Sequence, residues 1–157
     1  MNPLQQCKFV KVIQPTSIKD NTSWTTAEVD TKGWDYATLV FMVGDSDIAM
    51  ASLAVTQANV SATSHANVTG LIVGTSYTSA GAASTLPAAG SDGYLWIFHM
   101  DLKNMMRYID LTAVAGNGTT GTYAAALLIL YRGAIGPDTA AEMGGTGAEV
   151  LSAPAYA

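Results

Sequence analysis

The sequence predicts an all-β fold, an antiparallel β-sandwich or jelly roll of about eight strands. Short segments alternate apolar and polar residues with period two, and clusters of Gly, Asn, Asp and Ser separate them at fairly even spacing. Helical periodicity is almost absent. A chain of 157 residues suits one core and is too short for two well-packed ones. Residues 1–136 are therefore assigned to a single sandwich domain and residues 137–157 to an extended C-terminal tail.

The first predicted strand is 7–14, with Cys7, Phe9, Lys11 and Ile13 on one face and Lys8, Val10, Val12 and Gln14 on the other; Pro15 closes it. A second runs over 24–29 into Asp30-Thr-Lys-Gly33, where Gly33 supplies the positive φ of a tight turn. Segment 36–43 reads as a central strand. Ala37, Leu39, Phe41 and Val43 face one way and Tyr36, Thr38, Val40 and Met42 the other, so both sides are largely apolar and each needs a covering layer. After the turn Gly44-Asp-Ser-Asp47, a strand over 49–57 places Ala49, Ala51, Leu53 and Val55 inward. Residues 58–67 read as a polar loop, 71–73 as a short strand and 79–91 as a long surface loop. Segments 94–102 and 107–115 form the strongest strand pair, read as a hairpin through Lys103-Asn-Met-Met106, and a last strand covers 122–132.

Composition narrows function. The chain is 49% hydrophobic and 12% charged, with seven Lys and Arg against twelve Asp and Glu and a net charge of −5. Soluble domains usually carry about 25% charged residues, so much of this surface is expected to be covered by partners. Seven scattered cations form no phosphate-binding footprint, which argues against nucleic acid. The apolar runs fall far short of the roughly 18–20 residues of a membrane-spanning helix, and the N-terminal stretch lacks the pattern of a signal peptide. Cys7 is the only cysteine, so packing without an intrachain disulfide must hold the fold.

Each motif with a chemical reading has a simpler structural one. Gly116-Asn-Gly-Thr-Thr-Gly121 matches the dinucleotide-binding glycine pattern, but the βαβ unit and the acidic residue about 20 positions on are missing, so it reads as a loop. Asp45 and Asp47 resemble the start of a calcium loop whose ligand ladder stops at Ile48. His65 and His99 are the only histidines. His99 and Asp101 share a strand face, where side chains run parallel instead of converging as a triad requires. The three tryptophans would serve a carbohydrate-binding module only if several were exposed on one face. No catalytic residue, cofactor or metal ligand set is assigned.

Four patterns together resemble the small structural proteins of tailed-bacteriophage virions that decorate or cement capsids: Asp30-Thr-Lys-Gly-Trp-Asp-Tyr-Ala37, Asp47-Ile-Ala-Met50, Arg107-Tyr-Ile-Asp-Leu111 and Ala115-Gly-Asn-Gly-Thr-Thr-Gly-Thr-Tyr123. The resemblance spans residues 24–132. It implies a β-sandwich or jelly roll, usually trimeric, seated on the outer capsid surface where copies of the major capsid protein meet, with no catalytic residues. A tail or baseplate adhesion module would share this composition.

The tail is rich in Ala and Gly, and Val150, Leu151 and Tyr156 are its main side chains able to bury apolar surface on a partner. Each contributes roughly 1–3 kcal/mol if fully covered. A truncation ending at Gly136 is expected to keep the circular-dichroism spectrum and melting behaviour of the subunit while weakening the oligomer or its attachment to a particle. Equal attachment by the truncated and full-length chains would make the tail idle.

Overall fold

The computed structural model describes residues 6–75, 78–79, 82–83 and 85–134. Among the described residues there are ten strands: β1 (Lys8–Ile13), β2 (Val29–Asp30), β3 (Trp34–Val43), β4 (Ser52–Ala58), β5 (Ala66–Ile72), β6 (Thr78–Ser79), β7 (Ala82–Ala83), β8 (Leu95–Asp101), β9 (Tyr108–Val114) and β10 (Ala124–Gly133). Eight of them build two four-stranded sheets, ordered β1-β10-β3-β8 and β2-β9-β4-β5, and β6 pairs with β7. All pairings are antiparallel. The molecule is a β-sandwich, as the alternation predicts.

Pairing is nested along the chain. β1 pairs with β10, β2 with β9, β3 with β8 and β4 with β5, and the contacts β10–β3 and β9–β4 complete each sheet. Apart from β4 and β5, which pair as neighbours in one sheet, successive strands of the two sheets alternate between layers. Strands β8 and β9 lie in different sheets, so the hairpin read over 94–115 is not formed. Their connection, a 3-10 turn at Leu102–Asn104, carries the chain from one layer to the other. Alternation specifies which face of a strand is buried but says nothing about which neighbour it hydrogen-bonds to, and that is why a short link between two strong strands is misread as a hairpin.

One core fills the space between the sheets. From the first sheet Leu39, Phe41, Phe98, Leu128 and Leu130 point inward, and from the second Leu53, Val55, Ile109 and Leu111, all of them buried. Along β8 the burial alternates strictly, with Trp96, Phe98 and Met100 inside and Leu95, Ile97, His99 and Asp101 outside. Phe41 and Trp96 meet edge to face at 6.4 Å between centroids, a geometry favoured by the ring quadrupoles.

Departures from the predicted pattern have local causes. In β1 the register shifts between Lys11 and Ile13. This bulge sends the consecutive residues Val12 and Ile13 both into the core, where strict alternation put them on opposite faces. Only Val29–Asp30 of the predicted second strand pairs as a strand. Upstream of it, Trp24 is held to β9 by one bond, its N–H donating to the Ala113 carbonyl at 3.1 Å. Strand β4 starts at Ser52, leaving Ala49 and Ala51 exposed instead of inward. Strand β5 begins at Ala66, inside the stretch read as loop, because its Asn67 and Thr69 are outward residues of a sheet with a polar outer face. The tail, with Val150, Leu151 and Tyr156, lies outside the described residues.

Ile109 and Phe98 are fully enclosed, at 1% and 0% exposure. Ile109→Ala and Phe98→Ala are each expected to cost on the order of 2–5 kcal/mol through lost burial and a residual cavity. Exposed His99→Ala is expected to change stability far less. Denaturant melts of the three variants check this ordering.

Candidate functional site

The four segments that carry the sequence resemblance meet in pairs, at the two ends of strand β9. At its start, Arg107 grips the Asp30 carboxylate through two hydrogen bonds, Nε to Oδ1 at 2.8 Å and Nη2 to Oδ2 at 2.6 Å. The Arg107 carbonyl accepts from the Thr31 N–H at 3.0 Å and the Thr31 hydroxyl at 2.6 Å. Gly33, at φ +87°, lets the chain turn from this latch into β3. The guanidinium holds the Asp30 carboxyl below the usual carboxylate range.

Beyond the far end of β9, the Gly116–Gly121 loop wraps the Asp47 carboxylate. Asp47 Oδ2 accepts from the backbone N–H of Thr119 at 2.5 Å and of Thr120 at 2.7 Å, and Asp20 Oδ1 accepts from Gly118 N–H at 2.9 Å. A side chain at Gly118 would collide with the Asp47 carboxylate, and one at Gly116 with the Ala49 carbonyl and Ile48. The glycine pattern thus has a physical cause. Consecutive N–H groups form an anion-holding concavity, and the anion is the chain's own carboxylate. Asp47 is consequently held below its usual range, by the Thr119 N–H first and the Thr120 N–H next. Spacing alone marked Asp47 as a turn residue; a carboxylate bound 72 positions away in sequence leaves no local signal.

The remaining candidates separate. His65 Nε2 lies 3.0 Å from Glu28 Oε2, and Glu28 also accepts from the Ser61 hydroxyl and the Ala62 N–H. This cluster ties the 59–65 loop to the segment before β2. On the other sheet His99 Nδ1 sits 3.0 Å from the Thr38 hydroxyl, while Asp101 Oδ1 accepts the Lys103 N–H. Among the described residues no hydrogen bond joins His99 to Asp101. Trp24 and Trp96 are buried and Trp34 is half-buried against the core, so the tryptophans do not share an exposed face. Burial pushes the Cys7 thiol up.

The two outer faces of the sandwich differ sharply. On the β2-β9-β4-β5 sheet, a groove of about 300 Å³ is lined by Thr56, His65, Asn67, Asp110 and Thr112 beside Trp24. On the β1-β10-β3-β8 sheet the outward rows, read from the register, are Lys11, Leu127, Val40 and Ile97, then Ala125, Met42 and Leu95. Exposure reaches 46% at Met42 and 53% at Leu95. An apolar groove of about 310 Å³ runs between Val40, Met42, Leu95 and Leu127. One end of the face is polar instead: Tyr36 stacks on Tyr131 at 5.7 Å, with the Arg132 guanidinium 5.3 Å from the Tyr36 ring. The sequence reading that 36–43 is largely apolar on both sides holds, but among the described residues a covering layer lies on one side and not, as expected, on both.

Comparison with known proteins finds no family model, no curated protein and no solved structure that matches the chain.

Asp47 and Asp30 both have depressed folded-state pKa values, so their contribution to stability is present above the unfolded carboxylate range and is lost as pH falls through the folded values. Asp47→Asn is expected to lower the melting temperature at neutral pH and to flatten the loss of stability below about pH 4. Thermal melts of the variant and the parent from neutral to acid pH measure both effects.

Proposed function

We propose that this chain is a non-enzymatic structural protein of a phage virion, an oligomeric decoration protein that binds and stabilises the outer capsid surface. One observation carries the reading: a four-stranded sheet whose outward face carries a contiguous exposed apolar patch at Val40, Met42, Leu95, Ile97 and Leu127. An antiparallel sheet with a free side normally shows polar residues there, and contiguous exposed apolar patches mark protein contacts. Low overall charge, the absence of a converging catalytic group set among the described residues and the resemblance of the four latch segments support the same reading.

The nested pairing, first strand with last and second with second-last, reads as a jelly roll, an architecture common in capsid proteins. The partners on this reading are other copies of the chain, with a trimer favoured, and the phage major capsid protein. The tail residues Val150, Leu151 and Tyr156 are proposed contacts with the particle. A carbohydrate-binding or adhesion module is the second reading; since the tryptophans share no exposed face, it would rest on the polar groove at Asn67 and Asp110.

Purified protein mixed with capsids that lack a decoration protein is expected to co-sediment at a fixed stoichiometry and to raise the temperature at which the heads release DNA. Failure to bind capsids, together with specific retention on a glycan array, would replace the first reading with the second.

A further inference from the structure

We infer that the polar groove on the outer face of the β2-β9-β4-β5 sheet is a carbohydrate subsite that takes one neutral sugar residue by its hydroxyl groups. The inference rests on the second reading above and names its ligand class. It leaves the first reading untouched, because the groove and the apolar patch lie on opposite faces of the sandwich.

Among the described residues two buried side-chain polar atoms have no hydrogen-bond partner, Trp24 Nε1 and His65 Nε2. Both residues line this groove of about 300 Å³. Such atoms are rare in folded proteins, since a buried N–H that gives up water without gaining an acceptor is destabilising. Trp24 is only 5% exposed, and its indole nitrogen can only donate. His65 Nε2 stands 3.0 Å from Glu28 Oε2, near the carboxylate but not aligned with it as a hydrogen bond. Two unused polar groups in the wall of one groove point to a ligand that brings polar groups of its own.

Strand register supplies the rest of the site. Asp110 of β9 pairs with Thr56 of β4, and Thr56 pairs with Asn67 of β5, so the three side chains share one face. Directly opposed side chains lie about 5 Å apart, which sets Asp110 and Asn67 roughly 10 Å from each other across the buried Thr56. A pyranose ring fits that gap with a hydroxyl toward each end. Asp110 Oδ1 is engaged by the Leu111 N–H at 2.7 Å, which leaves Oδ2 to accept from a sugar hydroxyl. Asn67 both donates and accepts, as do the hydroxyls of Thr56 and Thr112.

Other ligand classes lack their chemistry here. No Lys or Arg lines the groove, so an anion finds no counter-charge. Among the described residues no group of His, Cys, Asp and Glu could hold a metal ion. An extended peptide binds by adding backbone hydrogen bonds at a sheet edge, whereas Asp110 and Thr56 stand on β9 and β4, the interior strands of this sheet. A neutral ligand dense in hydroxyls, each able to donate and to accept, matches the mixed donors and acceptors of the groove.

A nuclear magnetic resonance titration of the isotope-labelled full chain with the methyl glycosides of glucose, galactose, mannose and N-acetylglucosamine tests the site through the tryptophan indole N–H signals. Trp24→Phe assigns the Trp24 signal. The expected result is a saturable shift of that signal with at least one glycoside. Asp110→Asn and Asn67→Ala are each expected to weaken binding roughly tenfold with unchanged circular dichroism, as loss of one hydrogen bond to the ligand predicts. No saturable shift at Trp24 with any glycoside overturns the inference, as does a shift that neither substitution weakens. A response confined to inorganic phosphate or to a short extended peptide makes the groove an anion or peptide site and overturns it too. Capsid binding is scored separately by co-sedimentation, so a chain that decorates heads and ignores the sugars refutes this site and leaves the structural reading standing.

Discussion

Covering one side of strand β3 is the constraint on which the rest of the structure depends. Ala37, Leu39, Phe41 and Val43 are all buried, and β3 is flanked in its own sheet by β10 and β8. Only a second sheet can remove these side chains from water, and β9 and β4 supply it with Leu111, Ile109, Leu53 and Val55. Because successive strands of the two sheets alternate between layers except at β4 and β5, most connections cross the edge of the sandwich. The polar latches sit at such crossings. Asp30 with Arg107 fixes the turn into β3, and Asp47 inside the 116–121 loop fixes the passage from β9 to β10.

The other side of β3 explains why an assembly is the natural reading. A side chain such as Met42 in a central strand gains from burial as much as its inward neighbours do, yet no described element lies over it. The opposite outer face, with Thr56, Asn67, Asp110 and Thr112, is what a water-facing sheet requires. One molecule thus carries one polar outer face and one with a contiguous exposed apolar patch.

Much of this was legible in the sequence. The strands at 94–102, 107–115 and 122–132 were legible as strands, and the largely apolar character of both faces of 36–43 was plain before any fold was known. Strand partners were not legible, because the period of two is the same whichever strand lies alongside; hence the false hairpin between β8 and β9. The bulge at Val12 escaped for a related reason, since one inserted residue changes the faces without altering composition. The glycine-rich loop was separated from a dinucleotide site by its context, but its occupant, the distant Asp47 carboxylate, required the tertiary structure.

The most direct measurement of the central claim is the oxidation rate of Met42 by dilute peroxide, followed by mass spectrometry across protein concentration. Met42 stands half exposed on the outer face and Met100 is enclosed in the core at 4% exposure, so the second serves as an internal reference for a covered thioether. If the assembly covers this face, Met42 reacts quickly in dilute protein and nearly as slowly as Met100 once the assembly forms. Rapid oxidation of Met42 at every concentration, in protein shown by mass to be assembled, would contradict the account.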